Sequence, residues 1–399
     1  MRTDPRVYLA IDNCFASKRW TAPGEWARVV RDLGVRYVEA SADNECDPLY
    51  STPARLAAWR REIAEATDAT GVRVANLYSG HGTYATLGLA HTDERIREHI
   101  HYDWLEPMVR NAAALGAGLG FFCHAFDEST LQDPERYERA RDDLVARLAD
   151  LARLGRDCGA GALALEQMYT PHQVPWTLAG ARDLLSRVWR SSGAPFYLTV
   201  DVGHAYGQRR FVRPGREEVE RRLSEGRSPR GMWLGPRACY RLYEGAAGAA
   251  GRERASLVDR LCKELDRFPH LFGNDGDADP YAWLERFGCY SPIVHLQQTD
   301  GTSSPHRPFT EAENAHGIIH GDRVLRSLVR SCHRRHAPDL PPPCEEIYLT
   351  IEVFSGTADI PADLLADLEE TVAYWRGFVP EDGRRLSELV SAAREPAPV

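Results

Sequence analysis

The chain has 399 residues, of which 43% are hydrophobic and 27% are charged. This is the composition of a folded globular protein and excludes a largely disordered one. The formal net charge of −9 argues against nucleic acid as a partner, because affinity for phosphates depends on a local excess of Lys and Arg, and no run of about 18 apolar residues is present that could cross a membrane.

Short apolar runs alternate with longer amphipathic segments along most of the chain. The amphipathic segments 23–33, 52–70, 96–114, 134–158 and 178–190 predict helices, because their apolar residues recur at three and four. Eight strands that alternate with helices predict a parallel sheet, and eight is the number that closes a barrel. The eight strand-like runs are 7–11, 37–40, 73–77, 120–124, 162–166, 196–201, 293–297 and 347–353.

We therefore predict an α/β fold, a (β/α)8 TIM barrel. The alternative is an open, doubly wound sheet that binds a dinucleotide. That alternative calls for a glycine-rich phosphate loop after the first strand, whereas the residues there are Asp12, Asn13, Cys14 and Phe15.

One connection is unusually long. About ninety residues separate Asp201 from Ile293, whereas a βαβ unit needs about thirty. We assign residues 1–380 to a single barrel, with an insertion at 209–277 after strand 6 and a C-terminal tail at 381–399. Loops that follow barrel strands lie at the face that carries active sites. The insertion is therefore interpreted as a lid or an oligomer arm, or as a surface excursion unrelated to catalysis.

The N-terminal residues suggest a location. Arg2, Asp4 and Arg6 precede the first strand without the long apolar stretch of a signal peptide, so we expect a cytoplasmic protein. Nine cysteines occur without a CxxC pair, which favours buried free thiols over a zinc ribbon or a redox site.

Polar residues stand at the ends of the last four predicted strands. Glu166 ends strand 5, Asp201 ends strand 6 and Glu352 lies at the end of strand 8, while strand 7 contains His295 and Gln297. Buried carboxylates on neighbouring strands repel one another unless a cation lies between them. Oxygen ligands without cysteine suit Mg²⁺ or Mn²⁺, and an imidazole ligand would favour Mn²⁺, Co²⁺ or Zn²⁺.

These strand ends resemble a known family. The xylose-isomerase-like barrel superfamily of sugar isomerases and epimerases includes tagatose and psicose 3-epimerases, hydroxypyruvate isomerase and inosose dehydratase. The resemblance covers the barrel but neither the insertion nor the tail. The motifs that carry it are Leu165-Glu166, Asp201-x-x-His204, His295-Leu-Gln297-x-x-Asp300-Gly301 and Ile351-Glu352.

The resemblance implies one divalent metal ion, held by Glu166, Asp201, Gln297 and Glu352. At strand 7 the sequence departs from the epimerases, which have His-x-His with the second histidine as ligand. Gln297 stands at that place, as in hydroxypyruvate isomerase-like members. His295, whose side chain points the same way because strand side chains repeat every two residues, remains the alternative ligand.

The resemblance also implies the chemistry, which is proton transfer on a small sugar or ketose through an enediolate that a cation stabilises. Glu166 and Glu352 resemble the family's acid and base. If both act on one carbon, the result is epimerisation. If the proton moves between adjacent carbons, the result is aldose–ketose isomerisation. Whether the sugar is phosphorylated stays open.

Other residues are candidates for substrate contacts. His204 resembles the family residue that hydrogen-bonds a substrate oxygen, and His306 with Arg307 could receive a phosphate. For His204, His81 and His124 a purely structural role is an equal alternative, and for His306 and Arg307 a solvated surface charge is the favoured alternative. The candidate set consists of His204, His81, His124, His295, Asp300, His306, Arg307 and Trp176.

Three other functions compete with the isomerase interpretation. The same metal and glutamates could perform elimination, as in a dehydratase or an enzyme that cleaves a glycoside. An endonuclease of the same superfamily would need three zinc ions and a basic surface, which the negative charge opposes. A barrel that binds a sugar without catalysis is the non-enzymatic alternative. In each case we expect a homo-oligomer.

Overall fold

The computed structural model describes residues 3–79, 86–123 and 125–392. Eight parallel strands follow one another in chain order around a barrel, and β8 pairs with β1, which closes it. The predicted (β/α)8 barrel is confirmed, and the open doubly wound sheet is wrong. The strands are β1 (Arg6–Asp12), β2 (Tyr37–Ser41), β3 (Arg73–Ser79), β4 (Gly118–Phe121), β5 (Leu163–Glu166), β6 (Tyr197–Asp201), β7 (Ile293–Leu296) and β8 (Glu346–Ile351).

Helices surround the barrel and connect its strands. A π-helical turn, Ile100–Leu105, joins two of them. They are α1 (Pro23–Asp32), α2 (Ala42–Glu45), α3 (Pro53–Thr70), α4 (Glu94–His99), α5 (Glu106–Leu115), α6 (Glu128–Leu131), α7 (Pro134–Cys158), α8 (Leu178–Ser192), α9 (Arg216–Ser224), α10 (Arg237–Gly248), α11 (Gly251–Asp266), α12 (Pro280–Phe287), α13 (Glu311–Asn314), α14 (Gly321–His333), α15 (Pro361–Arg376) and α16 (Leu386–Ala392).

The bounds of α7 follow from local chemistry. The side chain of Asp133 accepts hydrogen bonds from the first turn, and Pro134 occupies a position where no backbone donor is needed. Gly159 ends the helix at φ 71°, a conformation that glycine adopts without steric cost. Leu144, Leu148 and Leu151 recur on one face and are buried, so the helix packs that face against its neighbours.

The connection between β6 and β7 contains α9, α10 and α11. Its base is closed, because Gly273 N–H donates to Phe211 O (3.0 Å). At its far side His270 stacks on Tyr137 of α7, with ring centroids 4.1 Å apart, and Nε2–H of His270 donates to Leu131 O (2.9 Å). The segment therefore packs outside the barrel against α6 and α7. Its role as a lid or an oligomer arm stays a prediction.

The segment that was assigned to a C-terminal tail contains ordered elements. Residues Arg384–Arg385 form β9, which pairs antiparallel with Arg6 and Val7 of β1. The helix α16 follows, and its residues Leu386 and Leu389 are buried. Because a two-residue strand has no periodicity to detect, the sequence did not reveal that the fold continues to Ala392.

No helix within the described ranges is long and apolar enough to cross a membrane.

The barrel wall is closely packed around Gly118 of β4. A Cβ at this position would contact Asn76 Oδ1 and would lie 2.7 Å from Ala162 O, a backbone atom. Because backbone cannot move aside cheaply, we expect Gly118→Ala to lower the free energy of unfolding by about 1–3 kcal/mol, the usual cost of overpacking. Urea denaturation measures this change.

The matched control is Gly215→Ala, because no described residue lies within 4 Å of the added methyl group there. It should change stability by less than about 0.5 kcal/mol. Equal stability of the two variants would contradict the close approach of β3, β4 and β5.

Candidate active site

Carboxylates converge at the C-terminal ends of five strands. Asp12 ends β1, Glu39 lies in β2, Glu166 ends β5, Asp201 ends β6 and Glu352 follows β8. None is more than 4% exposed. Because parallel strands of a closed barrel all end at the same face, side chains far apart in the chain meet there.

This carboxylate cluster lacks nearby permanent cations. In the described part of the chain no lysine or arginine is buried, so the positive charge available to the cluster comes from histidines. Burial raises the pKa of Asp201, and burial together with Glu39 raises the pKa of Asp12 well above its ordinary range. Both directions are those of anions that lack sufficient compensation.

His295 lies in the centre of the carboxylate cluster. Its Nε2 is 2.6 Å from Glu39 Oε1, and its Nδ1 is 3.3 Å from both Glu166 Oε1 and Glu352 Oε2. Burial by itself lowers the pKa of this imidazole, but Glu352 and Glu39 raise it well above its ordinary value. Nε2 of His295 therefore faces Glu39, while Nδ1 faces Glu166 and Glu352.

Glu166 and Glu352 each have a second partner. The hydroxyl of Tyr78 donates to Glu166 Oε2, and His306 Nδ1 lies 3.2 Å from Glu352 Oε2. Burial raises the pKa of Glu352, but His295 and His306 outweigh it and bring the value to about 2. Glu352 is therefore held as a carboxylate between two imidazoles.

The loop after β7 delivers His306 to the cluster. Its backbone has φ 50°, a left-handed conformation that is uncommon for a residue with a side chain. The His306 ring stacks on the ring of Phe354, with centroids 3.8 Å and planes 7° apart. Phe354 itself is 52% exposed to solvent. The stacked pair thus extends from the buried cluster to the surface.

Gln297 lies beside Asp201. Its Nε2 donates to Oδ1 and Oδ2 of Asp201, both at 2.9 Å. Its Oε1 accepts from the backbone N–H of His306 (2.8 Å) and from Ser304 Oγ (3.1 Å). The amide group is therefore next to the cluster, with its nitrogen rather than its oxygen turned to Asp201.

His204 is fixed by its outer nitrogen. Nδ1–H donates to the backbone oxygen of Gln167 at 2.8 Å, which leaves Nε2 3.4 Å from Asp201 Oδ2. An imidazole anchored in this way keeps one ring nitrogen available to whatever lies next to Asp201.

Two overlapping sets of side chains could hold a metal ion. The ligand atoms of Asp201, His204 and His306 lie within 4.8 Å of one another, as do those of Glu166, Asp201 and His295. Buried carboxylates with a net negative charge are the ligands that Mg²⁺ and Mn²⁺ prefer. The residues present therefore fit a divalent cation, and Asp201 belongs to both sets.

The remaining candidates have other contacts. Asp300 is exposed and accepts from Thr302 N and Oγ1. Arg307 pairs with Glu313 at 3.1 Å. Trp176 is buried edge-to-face against Phe211, at the base of the insertion. Their roles as substrate contacts stay predictions, and His81 and His124 lie outside the described residues.

Sequence reasoning misses three contributors. Asp12 and Glu39 are not among the candidates, although Asp12 ends an apolar strand and Glu39 stands in one as Glu166 does, so the strand-end rule applied to β1 and β2 would have found both. Tyr78 was not selected as a hydrogen-bond donor, because an aromatic residue at the end of a barrel strand is usually packing. The sequence carries no signal for its contact with Glu166.

Comparison with known proteins gives related barrels. A D-erythrulose 1-phosphate 3-epimerase from Brucella abortus (strain 2308) is 24% identical over 362 residues, which cover 90% of this chain and 91% of that protein. A provisionally named xylose isomerase from Rhodospirillum rubrum superposes with a TM-score of 0.67 at 18% identity, covering 93% of this chain and 98% of the other.

An L-ribulose 3-epimerase superposes with a TM-score of 0.51 at 16% identity, covering 98% of this chain and 100% of the other. At these identities the structures establish the shared fold alone. The family model described as a xylose isomerase-like TIM barrel matches residues 27–227, which is half of the chain. The chain therefore belongs to the xylose isomerase-like TIM barrel family.

Proposed function

We propose that this protein is a divalent-metal-dependent isomerase or epimerase of a sugar or sugar phosphate. The observation that carries the proposal is the pair Glu166 and Glu352, both buried and each 3.3 Å from the same imidazole nitrogen of His295. Two carboxylates held together at the mouth of a barrel can remove a proton from carbon and return it. The similarity to D-erythrulose 1-phosphate 3-epimerase over 90% of the chain supports a ketose substrate.

The proposed metal ligands are Glu166, Asp201, Gln297 and Glu352, with Mn²⁺ or Mg²⁺ as the ion. A bound cation supplies positive charge beside the substrate oxygens, which lowers the barrier to removing the neighbouring proton. Gln297 must turn its amide over to offer Oε1. It is preferred to His295 because both ring nitrogens of His295 point at carboxylates and Nε2 is bound to Glu39.

The chain's own groups then move the proton. Glu166 and Glu352 act as base and acid on opposite sides of the substrate. Tyr78, whose hydroxyl donates to Glu166, restricts the rotation of that carboxylate. His204 contacts a substrate oxygen through Nε2, since its Nδ1 is anchored to Gln167 O.

The test is proton exchange with solvent. The Mn²⁺-loaded protein is incubated in D₂O with D-erythrulose 1-phosphate, and separately with D-allulose and L-ribulose, and products are followed by NMR. Deuterium at the carbon next to the carbonyl, with formation of a stereoisomer or an aldose, is the expected result. Loss of water or release of an aglycone would assign elimination instead. Sugar binding without any exchange would indicate a non-catalytic barrel.

The acid/base pair can be tested by removing each carboxylate. Glu166→Gln and Glu352→Gln keep the side-chain shape but cannot transfer a proton, so we expect kcat to fall at least about 10³-fold, within the range of general acid–base catalysis. Circular dichroism verifies that the fold is kept.

The matched control is Glu45→Gln. Glu45 is also a hydrogen-bonded carboxylate, contacting Asn13 and Trp59, but it is not part of the carboxylate cluster. Its kcat should stay within about threefold of wild type. Full activity of both Glu166→Gln and Glu352→Gln would defeat the proposed proton transfer.

Metal removal should lower both activity and stability. A cation that binds only the folded state stabilises it by about 2.7 kcal/mol at a hundredfold excess over its dissociation constant. Chelation should therefore lower the melting temperature and abolish turnover, and Mn²⁺ should restore both. Elemental analysis should give about one ion per chain, whereas three zinc ions would indicate the endonuclease.

The role of Gln297 can be tested through Gly203, which packs against it. A Cβ on Gly203 would lie 2.6 Å from Gln297 Nε2, so Gly203→Ala should push the amide away from Asp201. We expect Mn²⁺ binding to weaken at least about tenfold, the scale on which ligand-orienting contacts act, as measured by calorimetric titration.

Gly276→Ala serves as the control, since the added methyl group would contact a single one of the residues that the structure describes, Leu178 at 3.9 Å. Unchanged Mn²⁺ affinity in Gly203→Ala would remove Gln297 from the ligand set.

A further inference from the structure

Glu39 is a buried carboxylate that the proposed reaction does not use. It lies in β2, is 0% exposed and is separated from the glutamates of β5 and β8 by the imidazole of His295. Its Oε1 accepts from His295 Nε2–H at 2.6 Å, and its Oε2 has no hydrogen-bond partner among the described residues. A buried carboxylate oxygen without a hydrogen-bond partner lowers the free energy of unfolding, so a glutamate at this position calls for an explanation.

The contact between Glu39 and His295 offers that explanation. An imidazole bound at one nitrogen has its ring plane and its tautomer fixed by the partner. With Nε2–H directed at Glu39, Nδ1 is directed at Glu166 Oε1 and Glu352 Oε2, both 3.3 Å away. His295 thus lies between three carboxylates from three different parts of the barrel. The hydrogen bond to Glu39 restrains the orientation of its ring.

Other side chains also contact the two glutamates, but each of these touches one glutamate and not the other. Tyr78 donates to the second oxygen of Glu166, and His204 Nδ1 lies 3.7 Å from its first oxygen. His306 Nδ1 lies 3.2 Å from Glu352 Oε2. The separation between the two carboxylates therefore depends on His295, because among the described residues it is the side chain that contacts both. A change in the ring plane of His295 would move the two carboxylates relative to each other and to the substrate carbon.

We propose that Glu39 is a positioning residue that acts through His295 to set the spacing and orientation of the Glu166 and Glu352 carboxylates. This inference rests on the proposed function, since it assigns to those glutamates the transfer of the proton. In this role Glu39 acts through His295 rather than by contacting the substrate or the metal ion. Displacement of reacting groups by about 1 Å is enough to cost a hundredfold in rate, so the contact affects turnover more than substrate binding.

The test is a double-mutant cycle on the full-length protein with Glu39→Gln, His295→Asn and the double variant. Each is assayed for kcat and KM with D-erythrulose 1-phosphate, or with whichever ketose the exchange screen identifies, and for the dissociation constant of Mn²⁺ alone. The control Glu45→Gln makes the same chemical change six residues further along. Melting temperatures are recorded, and assays are run well below the lowest of them.

We expect kcat to fall about 10-fold in Glu39→Gln and about 100-fold in His295→Asn, with KM within about threefold of wild type. Because Glu39 acts through His295, the double variant should match His295→Asn within about threefold. Its melting temperature should exceed that of His295→Asn, because Glu39 is then no longer a buried charge that has lost its imidazole. The Mn²⁺ dissociation constants should show the same lack of additivity.

Two results would overturn the inference. Losses in kcat that multiply to about 1,000-fold in the double variant would show that Glu39 acts independently of His295. Wild-type kcat and Mn²⁺ affinity in Glu39→Gln, with only a lower melting temperature, would make the pair purely structural. Failure of the proposed function gives a different result, because the wild type would then turn over no ketose. The Mn²⁺ dissociation constants of the four proteins would still show whether Glu39 acts through His295. A wild type that neither binds Mn²⁺ nor turns over ketose would overturn both.

Discussion

Repulsion among buried carboxylates governs the arrangement at the mouth of this barrel. Two like charges 4 Å apart repel by about 4 kcal/mol at the effective dielectric of a protein, and Asp12, Glu39, Glu166, Asp201 and Glu352 are all nearly inaccessible to water. Three imidazoles lie among them, and in the described part of the chain no buried lysine or arginine accompanies them. The remaining negative charge explains why the site fits a divalent cation and why each histidine points a ring nitrogen at a carboxylate.

The barrel distributes the carboxylates over separate strands, which fixes the distances between them. Each backbone is fixed by pairing on both sides, as Asp201 is with His295 in the register of β6 and β7. The side chains can therefore be held at hydrogen-bond distance without a flexible loop between them. Small residues make room for the close approaches, as Gly203 does where it packs against Gln297. The packing of the barrel wall therefore also determines where the charged and polar side chains of the site lie.

The strand-end residues were predictable because closure of an eight-stranded barrel forces them together. Glu166, Asp201, His295 and Glu352 needed only the strand boundaries, which alternating apolar runs provide. The loop residues were not predictable in the same way. Asp300 accepts a hydrogen bond from Thr302, two residues along the same loop. His306 reaches the cluster through a left-handed backbone conformation, which the spacing of residues in the sequence cannot indicate. The partner of Trp176 is in the insertion, and a contact between segments without regular periodicity leaves no pattern in the sequence.

The closed base of the insertion has a consequence for how the chain can diverge. Between Phe211 and Gly273, whose backbones are hydrogen-bonded, the polypeptide leaves and returns at nearly the same point. A segment attached in this way can lengthen, shorten or exchange its surface without changing the register of β6 against β7. A change in the length or surface of this segment therefore leaves the strand ends that form the barrel mouth in place.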